Sequence, residues 1–342
     1  MRTDLPRRCG TTPVNHPLRS IVWCGLSLSL AVALGYRFLS AGQSTFVHAQ
    51  TTEQRTHSTD QWFLERIGAP AISMHRSAAV LVAVIDDGVD RDAPQLKDQI
   101  AGVNNIVAPD PLRDRSGHGT HTAAIIASRP GVTGIRGVCI ACRLIIIKAI
   151  TNHGYGSDAT VARAIDLAVE RGARVLNLSI GGTADTPAIR RAIARAIAQD
   201  IVVVAAAGNQ TYTERPFYPA AYPGVIAVGA IDTFNHQAHF ASSGAYIDIV
   251  APGVDIVSLD SSARGYGSMQ GTSTAAPQVS AAAGLLRAQF PHASAARIRT
   301  ALLVSATDLG ARGRDHRYGA GLLNIPSAIT YLQKQRVRAI TR

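Results

Sequence analysis

Six short runs of almost unbroken branched aliphatic residues constrain most of what this chain can fold into. They are Val80–Ile85 (VLVAVI), Leu144–Lys148, Val175–Leu178, Ile201–Ala206 (IVVVAA), Val225–Val228 and Ile247–Val250. None alternates apolar with polar residues, so each reads as a strand covered on both faces. Between them lie helical patterns at Ser157–Arg171, Pro187–Gln199 and Thr274–Gln289, with Ser157 and Asp158 as caps and Gly172 as a stop. Aromatic residues make up only 5% of the 342 positions, so small aliphatics must carry the 46% hydrophobic content. The alternation predicts an α/β fold: a single doubly wound domain with a mostly parallel central sheet flanked by helices and right-handed crossovers. In such sheets functional groups gather at the carboxyl ends of the strands.

Three polar clusters sit at those places. VLVAVIDDGVD puts Asp86 at the end of a buried strand, followed by Asp87 and the turn-permitting Gly88. DRSGHGTHTAAIIAS puts His118 at the entry to a helix after Gly117. GYGSMQGTSTAAPQVSAAAGLL puts Ser273 at the start of another, and Pro277 requires that helix to begin near Ser273, with the proline in its first turn. A serine hydroxyl is a weak nucleophile until a neighbouring imidazole accepts its proton. A buried carboxylate fixes the imidazole tautomer and stabilises the imidazolium. The developing oxyanion needs preorganised donors, available from the Ser273 N–H at a helix N-terminus and from Asn209 in VVVAAAGNQ.

Taken singly, each group has an ordinary explanation. Asp86 could cap a strand or ligate a metal, and His118 with His121 could form half a metal site. Ser273 could be only a helix cap, and Asn209 after Gly208 ordinary turn chemistry. Four such groups, each in its required context, point instead to nucleophilic hydrolysis.

IDDG, GHGTH, AAAGN and GTSTAAP resemble, in order and context, the Asp, His, oxyanion-Asn and Ser motifs of the subtilisin-like proteases. The chain order Asp…His…Ser is the subtilisin order. The resemblance runs from about Gln61 (QWFLERIGAPA) to about Ile329 and includes the closing YGAGLLNIPSAI. It implies a serine endopeptidase with Asp86, His118, Ser273 and Asn209 as catalytic residues and with protein or peptide substrates. His118, not His121, matches the base. Gly154–Gly156 and Ser179–Gly181 match the two edges between which such proteases hold substrate as an added strand. The side chain before the scissile bond would enter a pocket walled by Ser179–Gly182 and Ala206–Asn209, including Ala207 and Gly208. Phe217, just before Tyr218-Pro219, stands where relatives often carry Gly or Ser; turned inward it fills that pocket, turned outward it leaves the pocket deep.

Departures from the family pattern are also visible. Asp87 stands for the usual Thr or Ser, Thr274 for a Met, and Gln278 for a His. The tight calcium site of relatives looks lost, because Gln95 and Gly131 replace oxygen-rich ligands; no cofactor is expected, leaving open a weak calcium site near Ala220–Val225. The dozen residues between Ala49 and Trp62 are too few for a pro-domain. Two other functions use the same residues: a catalytically silent binding version of the fold, and an esterase.

A net charge of +11 and a pI near 10.0 invite a nucleic-acid reading. The basic residues are scattered, however. Arg190, Arg191 and Arg195 share a helix with Ile189, Ile193 and Ile197 on its other side, the pattern of a solvated face. No nucleic-acid partner is expected, and a monomer is.

Arg2, Arg7, Arg8 and Arg19 precede the apolar run Ile21–Tyr36, with small-residue cleavage options at Ser40-Ala41-Gly42 and Val47-His48-Ala49. The run is short for a spanning helix, which needs about 20 apolar residues, so 1–49 reads as a signal peptide, or else as a signal anchor giving transient membrane association. The rest is expected to be secreted or periplasmic: a short linker at 50–60, the peptidase domain at 61–330 and a basic tail at 331–342. Cys9 and Cys24 belong to the leader. In an oxidising compartment Cys139 and Cys142 (CIAC) are expected to form a local disulfide, with free thiols as the alternative.

Overall fold

The computed structural model describes residues 47–48, 59–69, 79–131, 133–211, 213–261 and 265–340. The leader segment up to residue 46, with Cys9 and Cys24, lies outside the described residues. A compact unit runs from Ser44 to Arg342. Its strands are β1 (Val47–His48), β2 (Leu81–Asp86), β3 (Ile100–Asn105), β4 (Arg143–Lys148), β5 (Val175–Leu178), β6 (Ile180–Gly181), β7 (Val202–Ala206), β8 (Ile226–Ile231), β9 (Ile249–Pro252), β10 (Ile256–Leu259) and β11 (Tyr266–Met269). Its helices are α1 (Trp62–Arg66), α2 (Pro94–Lys97), α3 (His118–Ala127), α4 (Asp158–Glu170), α5 (Pro187–Ala198), α6 (Thr272–Gln289), α7 (Ala295–Val304) and α8 (Ile325–Ile340).

Seven strands form one sheet in the order β3-β4-β2-β5-β7-β8-β9, and every pairing in it is parallel. The chain winds to one side of β2 through β3 and β4, then crosses to the other side through β5 and beyond. The carboxyl end of β2 therefore lies where the winding reverses, the crevice at which open α/β sheets place their sites.

The unbroken aliphatic runs are explained by the two faces of this sheet. Val82, Val84, Leu144 and Ile146 pack with Val279, Ala282 and Leu286 of α6. Their neighbours Ala83, Ile85, Ile145 and Ile147 point the other way, onto Val161 and Ile165 of α4 and Ile189 and Ile193 of α5. Alternate residues of each strand thus enter two different cores, and both must be apolar. On α5, Arg190 and Arg195 face outward and pair with Asp185 and Asp166.

Local signals act as their chemistry requires. Ser157 Oγ accepts the Thr160 N–H at 3.1 Å and caps α4. Gly172, at φ +79°, follows the C-cap of the same helix. Cys139 and Cys142 form a disulfide, and Gly284 of α6 makes room for it, since a Cβ there would lie 2.6 Å from Cys142 Sγ.

One expectation needs correction, and two elements cross the expected domain bounds. Pro277 is the sixth residue of α6, not in its first turn, because the helix begins at Thr272. α8 runs on to Ile340 across the expected boundary at 330, and Leu332 and Ala328 anchor it in the core. β1, inside the stretch read as leader, pairs antiparallel with β6. Among the described residues, no helix is long and apolar enough to cross a membrane.

Candidate active site

Asp86 ends β2 fully buried, and His118 opens α3 with 1% exposure. Their side chains meet at 2.8 Å, His118 Nδ1 to Asp86 Oδ1. A carboxylate can only accept, so the proton sits on Nδ1 and Nε2 carries the lone pair. Asp86 Oδ1 also accepts the Asp87 N–H at 2.8 Å, which fixes its plane. Burial pushes the His118 imidazole below its ordinary pKa, and the nearby Asp87 carboxylate opposes that shift.

The helix entry is built around Asp87. Its Oδ1 accepts the Gly119 N–H at 3.0 Å, and its Oδ2 accepts the Ser116 hydroxyl at 2.5 Å. Ser116 Oγ in turn accepts the His118 N–H at 3.0 Å. Asp87 therefore caps α3 and sets the angle at which His118 leaves the backbone. Gly119 has to be glycine for this approach, because a Cβ would stand 2.0 Å from the Gly88 carbonyl oxygen. Asp86, Asp87 and His118 bring potential metal-ligand atoms within 4.8 Å of one another. The hydrogen bonds just described account for that closeness without an ion.

Two further ionisable side chains lie beneath, and sequence reasoning passed over both. Asp114 accepts Thr120 N–H at 2.7 Å and Thr120 Oγ1–H at 2.8 Å. Burial and then the Asp87 charge push its carboxyl up to about 7. Lys148, buried at the end of β4, donates to the Asp87 carbonyl and to Asn152 Oδ1, with Asp110 3.6 Å away.

Ser273 is the second residue of α6 and 1% exposed. Asn209 follows β7 and is tied to the same helix start: Thr272 N–H and Thr272 Oγ1 both reach Asn209 Oδ1, at 3.0 and 2.9 Å. Thr272 Oγ1 also accepts the Gly208 N–H at 3.1 Å. With Oδ1 committed to Thr272, the donor end of the amide, Nδ2, is turned to the opposite side. Thr272 was missed in the sequence because a threonine before a serine carries no signal of its own. The structure brings Asp86 to His118, and Asn209 to the residue preceding Ser273, all at the carboxyl ends of β2 and β7 and the starts of α3 and α6.

The two glycine-bearing segments differ. Gly154, at φ +80°, has open space where a Cβ would be, and Tyr155 beside it is half exposed. Gly156 is buried against Ile150. Gly181 and Gly208 both face the Phe217 ring: a Cβ would lie 2.2 Å from Phe217 Cε1 at Gly181 and 2.8 Å from Phe217 Cγ at Gly208. Phe217 is 6% exposed, so its ring points inward and occupies the space between these segments. Ala207 is pinned through its carbonyl, which accepts the Tyr246 hydroxyl at 2.8 Å. The Ser179 side chain turns into the protein, where Oγ donates to the Ser273 carbonyl at 2.8 Å.

A serine at a helix start, a carboxylate-oriented histidine and a backed asparagine amide thus lie at the same ends of the sheet. The family model described as "Subtilase family" matches residues 77–321. Subtilisin DY of Bacillus licheniformis is 37% identical over 257 residues, 74% of this chain and 92% of that protein. Subtilisin of Bacillus pumilus is 36% identical over 272 residues, 78% of this chain and 97% of that protein. An intracellular serine protease of Paenibacillus polymyxa is 37% identical over 68% of this chain and 73% of its own. Among solved structures, fervidolysin of Fervidobacterium pennivorans, a keratinolytic enzyme related to subtilisin, superposes with a TM-score of 0.75 at 28% identity. That match covers 84% of this chain and 51% of fervidolysin, so this chain spans about half its length. The chain belongs to the subtilase family of serine-type endopeptidases, and its substrates are accordingly proteins or peptides.

Proposed function

We propose that Ser273 is the nucleophile of an Asp86-His118-Ser273 triad that cleaves peptide bonds, with Asn209 and the Ser273 N–H stabilising the oxyanion. The observation that carries this is the Asp86–His118 hydrogen bond, which leaves Nε2 as the basic atom. His118 Nε2 takes the Ser273 hydroxyl proton as Oγ bonds to the scissile carbonyl carbon. The carbonyl oxygen becomes an oxyanion beside the Ser273 N–H and Asn209 Nδ2. When the C–N bond breaks, His118 returns the proton to the leaving amine, giving an acyl-serine. Water, deprotonated by the same nitrogen, then releases the acid and restores Ser273.

Substrate is held as an added strand between Gly154–Gly156 and Ser179–Gly181. The antiparallel pairing of β1 with β6 supports this, since an extended segment of the chain already bonds along that edge. Phe217 fills the space for the residue before the scissile bond and restricts it to compact side chains such as Ala or Val.

The calcium loop of relatives does not fit the ion here. The Gln95 side chain lies against Gly131, and its amide donates to Thr133 Oγ1 at 2.8 Å, so the loop supplies no carboxylate. Export rests on the leader sequence and on the Cys139–Cys142 disulfide.

A fluorophosphonate probe tests the assignment. Covalent labelling mapped to Ser273 is expected, and labelling elsewhere or none at all would overturn it.

A further inference from the structure

Pro277 creates a difficulty in α6 that falls on the nucleophile. In a helix the carbonyl of residue i accepts the N–H of residue i+4. Residue i+4 from Ser273 is Pro277, which has no N–H, and its ring also crowds that carbonyl. The Ser273 carbonyl is thus deprived of its helical donor inside the protein, where an unsatisfied acceptor is costly. The missing donor comes from another element. Ser179, one residue beyond β5, sends its hydroxyl to the Ser273 oxygen at 2.8 Å.

The chain of bonds continues. Asn177 Nδ2 donates to Ser179 Oγ at 3.0 Å, and Ser280 Oγ donates to Asn177 Oδ1 at 2.8 Å. Asn177, Ser179 and Ser280 are fully buried. A carbonyl can only accept, so Ser179 must spend its one proton on Ser273 and accept from Asn177. The amide orientation follows, and Ser280 must donate. All three donors run one way and end on the nucleophile's carbonyl. Ser280 lies seven residues after Ser273 on the same helix face, so Asn177 and Ser179 clasp the first two turns of α6 to the end of β5.

We infer that Ser179 is a positioning residue for Ser273: its hydroxyl replaces the N–H that Pro277 removes and sets the backbone from which Oγ attacks. The inference rests on the catalytic role proposed for Ser273. Asn177 and Ser280 orient Ser179 in turn. Reaction rates respond steeply to misplacement of a reacting atom, whereas Ser179 Oγ faces α6 rather than substrate, so its loss falls on kcat rather than KM.

The decisive test is a double-mutant cycle, with rates taken per active site titrated by fluorophosphonate so that unfolded protein is not counted. Ser179→Ala in the Pro277 background should lower kcat about tenfold, with KM changed less than about twofold. Pro277→Ala restores an N–H at position 277, so Ser179→Ala made in that background should cost less than about twofold in kcat. Equal losses in both backgrounds, or no loss beside Pro277, would overturn the positioning role. If Ser179→Ala alone fails to fold, recovery of folded protein with Pro277→Ala added supports it, and failure of both overturns it. Wild type that does not label at Ser273 defeats the catalytic assignment itself, a result distinct from labelled enzyme with no coupling.

Discussion

Phe217→Gly is the perturbation that reads the specificity of this enzyme most sharply. The ring is 6% exposed and pressed between two glycine backbones, Gly181 and Gly208, where no side chain would fit beside it. Removing it opens a space the size of a phenyl group between the segments proposed to wall the substrate pocket. A substrate Phe placed there gains about 1.5–3 kcal/mol by burying its ring. At 1.36 kcal/mol per tenfold, the ratio of kcat/KM for Phe over Ala should rise about ten- to 150-fold in the variant. The assay is hydrolysis of matched peptides differing only at the residue before the scissile bond. Wild type should prefer Ala or Val, and the variant should shift toward Phe. The substitution also empties a packed site, at about 3–5 kcal/mol of stability by analogy with Phe→Ala, so rates belong well below the variant's unfolding temperature. An unchanged Phe-to-Ala ratio in the two proteins would refute the proposed role of the ring.

Three further outcomes follow from the site. Asn209→Ala should lower kcat about a hundred- to a thousandfold with little change in KM, the size established for one oxyanion donor in subtilisin, the type case; a loss confined to KM would contradict it. Asp114, raised from 3.8 to about 7 in the folded protein, holds a proton there that the unfolded chain releases above about pH 4. Its contribution to stability is present below that pH and is lost as pH rises to about 7, so unfolding temperatures should move in favour of Asp114→Asn relative to wild type between pH 5 and 8. A constant difference would show that Asp114 is ionised throughout. EDTA should shift the unfolding temperature by less than about 2–4 °C, the equivalent of about 1 kcal/mol in a domain of this size, because Gln95 and Gly131 offer no tight ligand set. A larger drop would reveal a calcium site elsewhere in the loops.

Much of this architecture was legible in the chain because buried parallel strands need apolar residues on both faces. That need explains why β2, β4, β5 and β7 stood out within a residue or two. β3 did not, since IAGVNN is half-buried and polar at its end, and the antiparallel pair β10–β11 is too short and mixed to announce itself. α8 read as a basic tail because its outward residues are Lys334 and Arg336, while Leu332 alone marks its buried side there. Within the site, Asp86, His118, Ser273 and Asn209 stand in motifs whose spacing carries the chemistry. Their supports do not. Thr272, Asn177, Ser179, Ser280 and Lys148 act through contacts across 61 to 103 residues of chain, and no local pattern encodes such meetings. Phe217 is intermediate: the sequence located it, and only the packing against Gly181 and Gly208 decided which way the ring points.

The central claim is that one hydroxyl performs the chemistry, and turnover by Ser273→Ala tests it most directly. Purified variant and wild type, matched by circular dichroism and unfolding temperature, would be compared on one extended peptide substrate. The triad predicts a fall in kcat of about a millionfold, as for the nucleophile in subtilisin, with binding retained and a small residual rate from the oxyanion donors. Hydrolysis by Ser273→Ala within about tenfold of the wild-type rate would contradict the account.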